Sequence, residues 1–203
     1  MDLLLVRHAL PVRADGDSAT ADPALSEVGR QQARATADFL AGELIHAVVA
    51  SPLQRAIATA QPLADRLGLD VEIVDGLREI DPFGGSYIPA EELTADHEVV
   101  TDMATDPLAL FASVGGFEQF RRTVVAAVDG IVAGNRGRRV AIFCHGSVIG
   151  TYLTAVLGHE DPFLLLPDYC GIYRVLASGT GLRTLRSANE TGHVRDLASP
   201  PTQ

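Results

Sequence analysis

Only two cysteines, Cys144 and Cys170, occur in 203 residues. They form no close pair and no cysteine–histidine cluster, so they read as reduced thiols packed like small hydrophobes rather than as a disulfide framework. Positive charge is also scarce. Lys and Arg together number 16 against 26 Asp and Glu, a formal net charge of −10 and a pI of about 4.9. That balance argues against nucleic acid or an anionic membrane surface as a partner, although a local basic pocket can sit inside an acidic shell. No stretch approaches the ~20 apolar residues of a membrane span. The first apolar run is too short for a signal peptide and follows an aspartate rather than a basic residue. No H-x-x-x-H pair and no Gly-rich Walker loop is present, so no metal and no cofactor is expected. The chain reads as a soluble, cytoplasmic, single domain over 1–203. Its oligomeric state is open, a homodimer included.

What is present is a regular alternation. Leu3–Val6 is an unbroken apolar run, the pattern of a strand buried on both faces. Ser26 can cap a helix running to about Leu40. His46–Ala50 is a second strand. Ser51-Pro52 then reads as the cap and first residue of a helix that stops near Gly68. Val71–Val74 is a third strand. An irregular insertion, rich in proline and glycine, follows at about 75–116, with one short helix expected around 91–103. Phe117–Val132 reads as a helix, Val140–Cys144 as a strand, and His145-Gly146 leads into a helix to Leu157. Ile172–Leu176 and Leu182–Leu185 make a last pair of strands, and the polar residues 187–203 read as a mobile tail. Strands alternating with helices predict an α/β fold, a three-layer sandwich with a mainly parallel central sheet flanked by helices.

Ligands of such sheets bind beyond the carboxyl ends of the strands. The first strand delivers Arg7 and His8 there. The second delivers Ser51 and, one helical turn on, Arg55. A later one delivers His145, Gly146 and Ser147. If the first and later strands are neighbours, ~4.8 Å apart, two histidines face each other across a gap the size of a phosphate. Helix N-termini near Ser51 and Gly146 add backbone N–H groups and positive dipole ends. An apolar run that ends in arginine and histidine thus has a reason to do so: its end is the floor of an anion site.

Five segments in order, LVRHA at Leu5–Ala9, LSEVGRQQA at Leu25–Ala33, SPLQRAIATA at Ser51–Ala60, LRE at Leu77–Glu79 and HGSVI at His145–Ile149, resemble the histidine phosphatase superfamily, in its phosphoglycerate mutase-like branch. The resemblance implies that His8 is a nucleophile forming a phosphohistidine and that Arg7, Arg55 and His145 bind the phosphoryl oxygens. It also implies that Glu79 protonates the leaving oxygen and then activates water, and that no metal takes part. Asp81 is the other carboxylate considered for the acid. Ser147, at a helix start, either donates to the phosphate or caps the helix.

The pattern departs from the family at Ala9, where glycine is usual, and at Ala14 and Asp168, where asparagine is common. The segment after Glu79 lacks the tryptophan of the mutase-like pattern, and the chain has no tryptophan at all. A mutase must exclude water from its intermediate, and the modest insertion here favours a phosphatase acting on a small phosphorylated metabolite. The alternatives are mutase-type phosphoryl transfer, a phosphohistidine protein phosphatase, and a non-catalytic phosphate-binding module. Between Asp75 and Asp106 nine acidic residues face one arginine, Arg78. A rim of that sign would repel polyphosphorylated substrates, while Phe83 and Tyr87 could supply apolar walls.

Overall fold

The computed structural model describes residues 1–13, 22–80, 86–87 and 105–197. Leu3, Leu4, Leu5 and Val6 form the body of β1 (Asp2–Arg7), each at most 1% exposed. Successive side chains of a strand point to opposite faces, and here both faces are covered. Leu3 and Leu5 pack into one core layer with the helices α3 (Phe117–Gly134) and α4 (Gly146–Leu157). Leu4 and Val6 pack into the other with α1 (Glu27–Leu40) and α2 (Gln54–Leu67). Burying one such leucine is worth ~1.5–3 kcal/mol, so the run is the centre of the fold as well as the approach to its end.

With β2 (Ala47–Ala50), β3 (Val71–Ile73), β4 (Arg139–Cys144), β5 (Ile172–Ala177) and β6 (Arg183–Glu190), the sheet order is β3-β2-β4-β1-β5-β6. The four strands from β3 to β1 are parallel. β5 runs antiparallel to β1, and β6 antiparallel to β5. The expected three-layer α/β sandwich with a mainly parallel sheet is what forms.

The exit of β1 is pressed onto α1. Ser26 caps that helix, its hydroxyl accepting from the Gly29 N–H at 3.0 Å and donating to the Leu10 carbonyl at 2.9 Å. A Cβ on Gly29 would lie 2.0 Å from that same carbonyl oxygen, so only glycine permits the approach. Gln32 Oε1 accepts from the Leu10 N–H at 3.0 Å.

Three boundaries differ from the sequence reading. The second helix begins at Gln54, not at Pro52, and its N-cap is Leu53. The last strand extends through Glu190, because β6 is an edge strand whose exposed face carries polar residues and so resembles a tail. Beyond it, Gly192–Leu197 make a 3₁₀ turn that rests on α1: Val194 is buried, and the His193 ring stacks on Phe39 at 4.9 Å. The tail assigned to 187–203 therefore starts eleven residues too early, since residues through Leu197 are packed. Of the insertion, Asp75–Leu77 and Pro107–Val114 are 3₁₀ turns. The helix expected around 91–103 lies outside the described residues, as do Ala14, Asp81 and Phe83. Among the described residues no helix is long and apolar enough to cross a membrane.

Candidate active site

The register of β1 against β4 sets Arg7 beside Cys144. The next residue on each strand is a histidine, and the two rings lie 5.1 Å apart between centroids. His8 is held there by its backbone N–H, which donates to the Cys144 carbonyl at 2.9 Å. β2 lies on the other side of β4, and the Ser51 N–H donates to the Phe143 carbonyl at 2.9 Å. Three strand ends thus converge, and His8, Ser51, Arg55 and His145 are all at most 1% exposed.

The hydrogen bonds of His8 select one tautomer. Its Nδ1 lies 2.8 Å from the Ala9 carbonyl, which can only accept, so Nδ1 carries the proton. Its Nε2 accepts from Arg55 Nε at 3.3 Å and keeps the lone pair. Burial first, then the charges of Arg55 and Arg7, hold its pKa well below the usual histidine value, against the opposing bond to Ala9. His145 is likewise pushed well down by burial, Arg55 and His8. Both imidazoles are therefore neutral at pH 7. His145 Nε2 is 2.7 Å from Ser51 Oγ, while its buried Nδ1 has no hydrogen-bond partner among the described residues.

Arg55, in the first turn of α2, is among the largest fully buried side chains of the protein. Its NH1 is 3.6 Å from Asp22 Oδ1, and its guanidinium lies 5.1 Å from the centre of the Tyr87 ring. Arg7 donates to the Pro167 carbonyl at 2.6 Å and stacks 3.8 Å over Tyr169. The two tyrosine hydroxyls meet at 3.0 Å, and both rings flank His8, at 6.4 Å for Tyr87 and 5.6 Å for Tyr169. Thr59 ties this side together: its hydroxyl donates to the Arg55 carbonyl at 2.6 Å and accepts from the Ala9 N–H at 3.0 Å. The loop that carries Tyr169 is pinned in turn by Asp168 and Asn189, which exchange two hydrogen bonds at 2.7 and 3.0 Å.

Glu79 follows the 3₁₀ turn after β3 and is partly buried. Its Oε1 accepts from the Ser147 hydroxyl and from the Ile80 N–H at 2.9 Å. Burial raises its pKa above the usual carboxylate value, outweighing the Ser147 bond and the charge of Arg55. Two guanidiniums, two neutral imidazoles and a carboxyl with a raised pKa form a cradle suited to a phosphoryl group. Among the described residues no group of three His, Cys, Asp or Glu is placed to hold a metal ion.

The structure brings Arg7, His8, Arg55 and His145 together as the strand ends suggested, with Glu79, named by the family resemblance, beside them through Ser147. Ser147 is at the helix start, but its hydroxyl goes to Glu79. Ser51, expected as a helix cap, contacts His145 instead. Asp22, Thr59 and Tyr169 were not legible as site residues, and Tyr87 was legible only as an apolar wall.

The chain is similar to known proteins along nearly all its length. The family model of the histidine phosphatase superfamily (branch 1) matches residues 3–191. The bifunctional protein Rv2228c of Mycobacterium tuberculosis is 32% identical over 199 residues, covering 95% of this chain and 54% of that protein; the chain spans about half the length of the first curated relatives it matches. A Yersinia pestis protein named probable phosphoglycerate mutase GpmB is 27% identical, covering 96% of this chain and 95% of its own. Phosphoserine phosphatase from Entamoeba histolytica, solved with 3-phosphoglyceric acid, shares the fold with a TM-score of 0.75 at 24% identity, over 95% of this chain and 98% of that one. Mycobacterial glucosyl-3-phosphoglycerate phosphatase shares it with a TM-score of 0.71 at 24% identity, over 93% and 98%. With a family model spanning almost its whole length and the cradle that fold builds at its strand ends, the chain belongs to the histidine phosphatase superfamily.

Proposed function

We propose that this protein is a phosphomonoesterase that works through a phosphohistidine on His8. The carrying observation is the tautomer: with the Nδ1 proton held by the Ala9 carbonyl, the lone pair of a neutral imidazole is at Nε2, inside the cradle. Nε2 attacks phosphorus, an N–P bond forms and the ester P–O bond breaks. Glu79, whose carboxyl burial biases toward the protonated form, gives its proton to the departing oxygen. Water then attacks the phosphohistidine, Glu79 takes a proton from it, the N–P bond breaks and inorganic phosphate leaves. Arg7, Arg55 and the Nδ1 side of His145 hold the phosphoryl oxygens, whose charge is spread in the transition state. Ser147 contributes through Glu79, which its hydroxyl holds over the site.

The phosphatase names among the structural neighbours favour water as the acceptor, and the mutase name of the Yersinia relative is the case for a second phosphorylated acceptor. The test is a small phosphate monoester such as p-nitrophenyl phosphate, with EDTA present, followed by alkaline quenching and ³¹P detection of phosphohistidine. Turnover with a phosphohistidine that disappears in His8→Asn is expected. Turnover that survives His8→Asn removes His8 as nucleophile. Phosphate binding without any turnover would identify a non-catalytic module, and transfer to an added alcohol faster than to water a mutase.

A further inference from the structure

We infer that the site selects monoesters whose alcohol carries no carboxylate or second phosphate, and that Asp22 is the residue that enforces this; the inference rests on the phosphatase reading above. The two helix N-termini at the site are each faced by a carboxylate of the chain itself. At α2, both Asp22 oxygens accept from the Gln54 N–H, at 2.8 and 3.1 Å, and the same carboxylate lies 3.6 Å from Arg55. At α4, Glu79 accepts from Ser147. These are the positions where a substrate's own second anion would gain most from the helix dipoles. The chain has no lysine, so arginine is its only permanent side-chain cation. Arg7 and Arg55 go to the cradle, and Arg78, next to Glu79, pairs with Asp75 at 3.0 Å. Among the described residues, the remaining wall near His8 is the Tyr87–Tyr169 pair, whose hydroxyls bond each other. Among the described residues, a leaving group therefore meets aromatic surface and the Asp22 carboxylate.

Any ester held by Arg55 lies close to the Asp22 carboxylate, which is about one-third exposed. A leaving-group carboxylate about 7 Å from it would be disfavoured by roughly tenfold at an effective dielectric between protein and water. Glycerol 3-phosphate and 3-phosphoglycerate make a near-isosteric pair that differs in this one charge. Wild-type protein should show a kcat/KM about tenfold or more higher for glycerol 3-phosphate. Asp22→Asn keeps an oxygen for the Gln54 N–H and removes the charge, so it should narrow that ratio by about fivefold to tenfold. A residue that merely caps the helix would change both substrates alike, and an unchanged ratio overturns the inference, as does a wild-type preference for 3-phosphoglycerate. Should the variant fold poorly, raising the salt on wild-type protein is the second measurement: the ratio should shrink with ionic strength, and a constant ratio counts against the inference. The same ratio in Arg13→Gln, at the exposed exit of β1, is the comparison, and a ratio governed by Arg13 but not by Asp22 also overturns it. Failure of the phosphatase reading is distinct, because neither ester would then be turned over.

Discussion

At the amino-terminal end of the parallel strands, Arg139 donates to Asp2 at 2.8 and 3.1 Å and lies 3.1 Å from Glu43. Arg174 takes Glu43 at 2.7 and 3.0 Å and Glu190 at 2.9 and 3.0 Å. At the carboxyl end of the same strands, Arg55 has its ion pair with Asp22 at 3.6 Å, and Arg7 donates to a neutral carbonyl. The first cluster closes on itself through short, forked bonds between opposite charges. The second holds a fully buried arginine, Arg55, and adds two imidazoles kept neutral by burial. Similar residues thus build both ends, and what separates them is the pair of buried neutral imidazoles that stands beside the arginines only at the carboxyl end.

The largest effect that would test this contrast concerns the acid. Glu79→Gln should cut kcat/KM on an alkyl phosphate by ~10²–10⁴, the range of general-acid catalysis, and much less on p-nitrophenyl phosphate, whose leaving group needs no proton. Equal losses on the two substrates would take the acid role from Glu79, and Asp81→Asn would be measured next. Arg55→Ala should lower kcat/KM by about 10²-fold and weaken vanadate inhibition, since a charge-assisted contact present in ground and transition states is lost.

Arg174→Ala should do the reverse. We expect kcat/KM within about twofold of wild type and a loss of about 1–3 kcal/mol in denaturant unfolding, because Glu43 and Glu190 are left without it in a partly exposed site. A catalytic defect in that variant would blur the division between the two ends.

The smallest effect is in pH. The Arg174 hydrogen bond holds Glu43 below the usual carboxylate value of 4.5, so its stabilisation is complete above that value and is lost as pH falls through the lowered one. Glu79 is raised, so its ionisation opposes folding as pH rises from 4.5 through its folded value. Glu79→Gln should therefore melt higher than wild type at pH 7, with no advantage at pH 4. Glu43→Gln should melt lower at pH 7, the difference fading in acid. Thermal melts at the two pH values check both signs.

Much of this molecule was readable in one dimension. The run Leu3–Val6, the Ser26 cap and the glycines after α2 and α4 act over one to four residues, through strand alternation and helix capping, and such rules apply before any tertiary contact forms. They were enough to place Arg7-His8, Arg55 and His145-Gly146 at strand ends, and so to locate the cradle. They failed where solvent exposure mimics disorder, as in β6, whose polar residues are the outer face of an edge strand.

Only the folded chain decided the partners within the cradle. Ser51 and His145 are 94 residues apart, Tyr87 and Tyr169 are 82 apart, Ser147 and Glu79 are 68 apart, and Asp22 reaches Gln54 across 32. None of these pairs has a sequence period. They arise because β4 inserts between β1 and β2, setting a histidine between two strand ends that are 43 residues apart along the chain. The sequence by itself determined which residues stand at the ends of the strands. Strand order and the loops across those ends determined which nitrogen of His8 carries its proton and which carboxyl group faces each helix, because both depend on neighbours that only packing brings within hydrogen-bond range.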